Sequence, residues 1–465
     1  MRTFTNTHTM SRLPIVLVHG YSDRRESFEQ WCKVLEARGY DATTIHLGSY
    51  VSLSNEVTIK DIAEGFDRAL RERAGLQKGE PFDAIVHSTG MLVIREWLST
   101  YAGRTARLKR LIGLAPATFG SPMAHKGRSW LGGVFKGRKE FGPDFMEAGD
   151  QVLAGLELGS SYTWQLAHKD LLSTEVVYGL TRGTPYPFIM IGLDDYGWLK
   201  RVVTDEGTDG TIRWAGAGFN TRKVVVDLTV DPTQRSSRRR VTIAPWRNAT
   251  VPLAFVPGCN HTSILREPTS PLIEMVEEAL AVNSSASYAQ WGELWGRKSA
   301  DALKAAKAPR WQQFVTRAVD ERGDGIHDYF LQLEGEENGK PVPLGFDLNV
   351  HAFREDPSYR CFHVDLDRLD VERLPKLVLR VIAESGSELV GYHGYSSPSV
   401  ASAPRERGVW DAALEFDSTI GAKDVAFFWP YTTTLVEIRM NREPMPLTGA
   451  NGVFWFGARH GETQP

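Results

Sequence analysis

The chain has 465 residues, 42% of them hydrophobic and 24% charged, enough for a large core and a smaller second domain. With 54 basic against 57 acidic residues the net charge is −3, so no basic surplus marks a nucleic-acid binder. Three well-separated cysteines, Cys32, Cys259 and Cys361, make neither a disulfide framework nor a metal cluster, and they fit a reducing compartment.

The opening MRTFTNTHTMSRLP carries no apolar signal core. No later apolar run approaches the roughly 20 residues of a membrane span. The expectation is a cytoplasmic protein, with export by a signal-independent route left open.

Residues 13–18, LPIVLV, are a continuous apolar run, as in a strand covered on both faces. Helical spacing follows over 27–38 (Phe28, Trp31, Val34, Leu35), stopped by Gly39, and DATTIHL at 41–47 reads as a strand. A helix over about 58–73 precedes the strand FDAIVH, the turn at Ser88 and the helix MLVIREWLSTY. RLIGLAPA (110–117), PFIMIGL (187–193) and PLAFVPG (252–258) are further strands. This alternation predicts a parallel sheet between helices. Over 119–185 it gives way to Gly, Pro and Trp among short amphipathic pieces, the composition of a lid. KVVVDLTV (223–230) and RVTIAPW (240–246) read as a hairpin inserted into the sheet order, and 271–282 as a closing helix.

NSSAS at 283–287 has the composition of a linker. From Trp311 onward, short strands such as QFVTRAV, DYFLQLE, YRCFHVDL, KLVLRVIA, DAALEF, DVAFFW and TLVEIRM alternate with turn signals. The expected division is a catalytic domain over 1–285, a helical linker over 286–309 and an all-β sandwich over 310–465.

The sharpest chemical signal is Val86-His87-Ser88-Thr89-Gly90, where an apolar strand meets a helix. A serine there stands on a strained turn at the carboxyl edge of the sheet, but its hydroxyl needs a base. His261, in Gly258-Cys259-Asn260-His261 after the last strand of this half, supplies an imidazole at the same edge. Asp209, in the Asp-Gly turn of Thr208-Asp209-Gly210-Thr211, supplies a carboxylate to orient it, with Asp194, Asp195 and Asp205 as rivals. His19-Gly20 after the first strand marks an oxyanion loop, so the N–H groups of Tyr21 and Thr89 are the expected donors. His87, next to the nucleophile, is expected to point to the opposite side by strand alternation and to be structural.

VLVHGYSD (16–23), VHSTGMLV (86–93), TFGSPMA (118–124), SSYTWQL (160–166), DGTIRWAGA (209–217) and NHTSI (260–264) together resemble the bacterial lipase and esterase branch of the α/β-hydrolases. Relatives of lecithin:cholesterol acyltransferase and lipase-like inositol deacylases belong to that branch. The resemblance spans about 13–282 and implies that the segment after Gly-Ser-Pro is a lid and that the Asp-Gly carboxylate is the triad acid. Val86 departs from the Gly or Ala this family prefers two residues before the nucleophile. Residues 310–465 carry no such resemblance.

The reaction so implied is hydrolysis of a carboxylic ester with an apolar acyl or alcohol part, without cofactor or metal. Acyl transfer or amide cleavage on the same groups, and a non-catalytic binding protein of the same fold, are the alternatives. Trp130, Trp164 and Trp198, in or beside the lid segment, are candidates to line an acyl pocket. Arg238–Arg240 reads as a solvated loop, Asp365, Asp367 and Asp370 as surface carboxylates, and His351, His363 and His393 as scattered residues without a metal. Tyr392, Tyr395, Trp410 and Phe427–Trp429 are candidates for an aromatic surface docking on a lipid or polymer, against the plainer expectation that they fill the core.

Overall fold

The computed structural model describes residues 12–18, 28–45, 56–72, 74–76, 79–100, 106–124, 150–179, 183–196, 205–230, 240–244, 250–337, 340–346, 348–369, 376–387, 389–397, 409–417 and 427–444. The chain divides into two compact units. The first comprises Met1–Glu157, Gln165–Phe219 and Arg247–Ala308; the second comprises Leu158–Trp164, Asn220–Trp246 and Pro309–Pro465.

The first unit is built on β1 (Ile15–Val18), β2 (Ala42–Ile45), β3 (Phe82–His87), β4 (Leu108–Leu114), β5 (Tyr186–Gly192) and β8 (Leu253–Val256), numbered along the whole chain. They pair in the order β2-β1-β3-β4-β5-β8, and every pairing is parallel. All four residues of β1 and all six of β3 are buried, as a sheet covered on both faces requires. The helices among the described residues are α1 (Glu29–Ala37), α2 (Ile59–Glu72), α3 (Gly90–Thr100), α4 (Asp150–Leu156), α5 (Ser161–Lys169), α6 (Trp214–Ala217), α7 (Ser263–Arg266), α8 (Ser270–Ala281), α9 (Ser285–Ala306) and α10 (Leu366–Leu369); α10 belongs to the second unit, α5 is divided between the two after Trp164, and the rest belong to the first. On α2 the buried residues Ile59, Ile62, Ala63, Phe66 and Leu70 fall on one helical stripe.

Two expectations change here. The helix expected over 286–309 forms as Ser285–Ala306, but it belongs to the first unit rather than linking two domains. The polar run at 283–287 is a helix cap instead: Ser284 accepts the Ser287 N–H while the Ser287 hydroxyl answers the cap backbone. The helix so started, α9, sends Tyr288, Trp291 and Trp295 into the core of the first unit. Its Ser299 hydroxyl accepts the Phe255 N–H at 3.0 Å.

The second change concerns 221–243, which does not enter the parallel sheet. β6 (Thr221–Asp227) and β7 (Val241–Ile243) belong to the second unit, where β6 pairs parallel with β17 (Thr433–Pro444). β6 alternates buried and half-buried positions from Arg222 onward, the period of a sheet with one face on a core, unlike the continuous runs of β1 and β3.

Of the expected lid segment 119–185, residues 125–149 and 180–182 lie outside the described residues. Glu157, Ser160 and Asp170 are fully buried, and Ser121 N–H donates to the Leu156 carbonyl at 2.8 Å.

The second unit also contains β9 (Trp311–Asp320), β10 (Asp328–Glu337), β11 (Lys340–Pro343), β12 (Val350–Ala352), β13 (Tyr359–Asp365), β14 (Lys376–Glu384), β15 (Val390–His393) and β16 (Val409–Asp417). One antiparallel sheet runs β11-β10-β14-β16, and a mixed sheet runs β12-β13-β9-β17-β6-β7, with β15 on β17. One apolar core takes residues from both sheets: Val224, Phe314 and Ile438 from the mixed one, Leu331, Val381 and Leu414 from the other. Trp410 is buried in this core, and Tyr392, Tyr395, Phe427 and Phe428 pack against it. The guanidinium of Arg222 covers the Trp429 ring at 3.9 Å. These aromatics therefore serve packing rather than an exposed docking surface. Phe427–Trp429 are not a strand; Gln312 accepts the Trp429 N–H instead.

Candidate active site

β3 delivers its last residue, His87, to the carboxyl edge of the parallel sheet, and the chain then turns sharply. Ser88 takes φ +53°, a left-handed conformation that costs a non-glycine residue on the order of 1 kcal/mol or more. Its neighbours hold it there. The Ser88 N–H donates to the Leu114 carbonyl at 3.3 Å, and the Ser88 carbonyl accepts the Met91 and Ala117 N–H groups at 3.2 and 3.1 Å. The hydroxyl makes no hydrogen bond with any described residue although Ser88 is buried. Thr89 immediately precedes α3, whose first-turn N–H groups point away from the helix body.

Across β3 and β4, Val86 stands opposite Gly113, where an added Cβ would meet the Met91 side chain at 2.6 Å.

His261 is 5% exposed, and its Nδ1 lies 3.0 Å from Asp209 Oδ2. The carboxylate accepts a hydrogen bond from Nδ1–H, so the neutral ring presents Nε2 as its basic nitrogen. Asp209 is itself fixed by the loop it belongs to. Its Oδ1 accepts the Thr211 and Ile212 N–H groups at 3.0 and 2.7 Å, and its carbonyl accepts the His261 N–H at 2.9 Å. Of the rival carboxylates, Asp205 forms an ion pair with Arg213 at 2.8 Å, and the Asp194 N–H donates to the Cys259 carbonyl. Asp209 is the carboxylate that meets His261 Nδ1.

Two features of this pole were not foreseen from sequence. The Tyr196 hydroxyl lies 3.0 Å from both the Thr211 and the Thr262 hydroxyls, tying the aspartate loop to the histidine loop. Gly210, at φ +95°, leaves room for the Tyr196 ring, which an added Cβ would meet at 2.5 Å. The other feature is His87. It does not turn away from the site: its ring packs on His261 with centroids 4.6 Å apart, and its Nε2 lies 3.0 Å from the His261 carbonyl. Strand alternation stops governing direction at the last residue of β3, where the backbone leaves the pleat into the left-handed turn.

Behind α3, Arg95 makes a two-pronged ion pair with Asp170 at 2.8 and 2.9 Å, and its third nitrogen donates to the Thr118 carbonyl at 2.8 Å. Both residues are fully buried, and the Tyr178 hydroxyl donates to the same carboxylate at 2.9 Å. Burial, with the Asp170 charge beside it, pushes the Tyr178 phenol well up from its ordinary value. This network anchors the loop after β4, which includes Ala117 and its bond to Ser88. The one sequence signal for it was Arg95-Glu96 inside an otherwise apolar helix.

Tyr21, with the His19-Gly20 turn, and Trp130 and Trp198 lie outside the described residues. Trp164 is buried with its ring edge-on to Tyr359 at 5.7 Å, so its packing role is accounted for. Asp370 is also outside the described residues, while Asp367 holds Arg310 at 2.6 Å. Among the described residues no group of three His, Cys, Asp or Glu side chains is arranged to hold a metal ion.

A parallel sheet with a left-handed serine turn between β3 and α3, a buried Asp–His pair on later loops, and an antiparallel and a mixed sheet in the second unit define an α/β-hydrolase fold with an added β unit. The chain is similar in fold to the phospholipase PlaB from Legionella pneumophila, at TM-score 0.76 and 24% identity over 98% of this chain and 97% of that one. The same protein in complex with thio-NAD matches at TM-score 0.76 and 23% identity, over 97% of each chain. A mature lipase from Bacillus licheniformis, BlEst2, reaches only 0.35 at 14% identity, over 57% of this chain and 91% of that one. No family model matches the sequence, and no curated protein matches it.

Proposed function

We propose that this protein is a serine hydrolase of carboxylic esters with an apolar acyl part, and that glycerophospholipids are the substrate class to test first. The carrying observation is the bonded Asp209–His261 pair set beside the strained turn that presents Ser88. The phospholipase name of the structural neighbour that spans nearly the whole chain supports the choice of lipid esters.

In this reading Ser88 Oγ attacks the ester carbonyl while His261 Nε2 takes its proton, and Asp209 holds the ring and stabilises the imidazolium. The N–H groups of Thr89 and Tyr21 receive the oxyanion. His261 then returns the proton to the leaving alcohol oxygen. Water, deprotonated by the same imidazole, releases the acid from the acyl-serine, and Ser88 is restored.

A fluorophosphonate probe should label the wild type and leave Ser88→Ala unlabelled. Fatty-acid release from phosphatidylcholine or phosphatidylglycerol vesicles, set beside a panel of p-nitrophenyl esters of rising chain length, tests the substrate class. An unlabelled wild type overturns the serine-hydrolase reading. A labelled enzyme that cleaves only short soluble esters overturns the lipid assignment.

A further inference from the structure

The contact between His87 and His261 joins two residues 174 positions apart at the point where the nucleophile and the base must be in register. His87 is 2% exposed and precedes Ser88 by one peptide bond. Its Nε2 faces a carbonyl oxygen, which can only accept, so Nε2 carries the proton and is the donor. The His261 backbone is thereby held at both ends. Its N–H donates to the Asp209 carbonyl at 2.9 Å, and its carbonyl accepts from His87 at 3.0 Å. The ring above this backbone is held by Asp209 on Nδ1 and lies against the His87 ring.

From this we infer that His87 is a positioning residue: it fixes the distance of the base from the nucleophile by donating its Nε2–H to the His261 carbonyl. The inference rests on the serine-hydrolase reading and deepens it. The physical case is one of leverage. His261 sits on a loop after β8, Ser88 on a turn after β3, and β4 and β5 separate those two strands in the sheet. Strand pairing alone fixes the loop tips no better than the loops are stiff. A bond from the residue next to Ser88 to the backbone of His261 removes that slack. An error of about 1 Å in such a placement costs on the order of a hundredfold in rate. The side chain suits the place because a neutral imidazole supplies both the donor and a flat face, and brings no second charge against the imidazolium formed during turnover.

Three variants test this with p-nitrophenyl butyrate as substrate. His87→Phe keeps the ring face and removes the donor; kcat should fall about tenfold to a hundredfold with KM within about twofold. Fluorophosphonate labelling of Ser88 should slow in parallel. His87→Gln keeps an N–H donor of similar reach and should recover most of the lost kcat. Ser88→Ala should be inactive and unlabelled. If the wild type is labelled, Ser88→Ala is blank and His87→Phe still turns over at the wild-type rate, the positioning role is overturned while the serine-hydrolase reading stands. If the wild type itself is neither labelled nor active, both fall. Should His87→Phe fail to fold, the tautomer of His87 in the ¹⁵N-histidine spectrum of the wild type decides. A proton on Nε2 is required, and an Nδ1–H tautomer overturns the proposal.

Discussion

The two ends of β3 carry buried polar groups of opposite design. At the start of the strand Asp83 faces Arg110, with Oδ2 2.7 Å from Nη1, and Arg110 also donates to the Val282 carbonyl at 2.6 Å. Charge meets charge there, side chain against side chain. At the other end, His87 and Ser88 are held through backbone groups: the carbonyls of Leu114 and His261 and the N–H of Ala117. That arrangement leaves the Ser88 hydroxyl without a bond among the described residues. A pole that satisfies its polar groups with each other is structural. One that satisfies them with backbone keeps a side chain available for a substrate, and it lies where α/β sheets place their ligands, outside the carboxyl ends of the strands.

The largest effects should come from breaking the carboxyl pole. Ser88→Ala should lower turnover about a millionfold, and Asp209→Asn about ten-thousandfold through loss of the correct tautomer, with melting temperatures little changed. Asp205→Asn should be mild by comparison. Steady-state kinetics on purified variants check this, and a reversed order of the two aspartates would move the orienting carboxylate to Asp205.

Next comes the buried anchor behind α3. Arg95→Ala leaves Asp170 and Tyr178 without their partner and should cost about 3–5 kcal/mol of stability in denaturant titration. A loss below 1 kcal/mol would mean that the network is solvated in solution.

The amino end of β3 should reveal itself through pH. Burial raises the Asp83 carboxyl to about 6 from an ordinary 3.8, against the lowering effect of Arg110. Its Oδ1 has no partner among the described residues. Between those two values the folded state holds a proton that the unfolded state has released, so stability falls as pH rises through that window. Above about pH 6 the cost is fully present, on the order of 2–3 kcal/mol relative to pH below 4. The stability difference between wild type and Asp83→Asn should therefore shrink with this slope from pH 4 to 6.5. A difference that stays constant over the range would show that Asp83 titrates normally.

The smallest effect is expected at Tyr196. Tyr196→Phe removes the tie between the aspartate and histidine loops and should cost about 1 kcal/mol of stability, with kcat falling less than about fivefold. A larger fall would place the loop tie alongside His87 as a determinant of register.

Much of this was legible in the sequence because it is local. The strands of the parallel sheet are continuous apolar runs, α2 is an apolar stripe, and the serine turn is a strand followed three residues on by Gly90; each signal is local in the chain. The Asp-Gly turn that presents Asp209 is local in the same sense. What the sequence could not decide is where period and composition are ambiguous or where the partner is remote. The polar stretch before α9 reads equally as linker or cap, and only the core that receives Trp291 and Trp295 makes it a cap. β6 and β7 lie between the parallel-sheet strands β5 and β8 in the chain, yet a one-sided burial pattern suits them to the second unit, where β17 offers an edge more than 200 residues away. His87 met His261 only because folding brought the ends of β3 and β8 to one edge. Sequence proximity to Ser88 gave its position, and the tertiary structure gave it a partner, because a hydrogen bond is set by distance in space and leaves no trace in spacing along the chain.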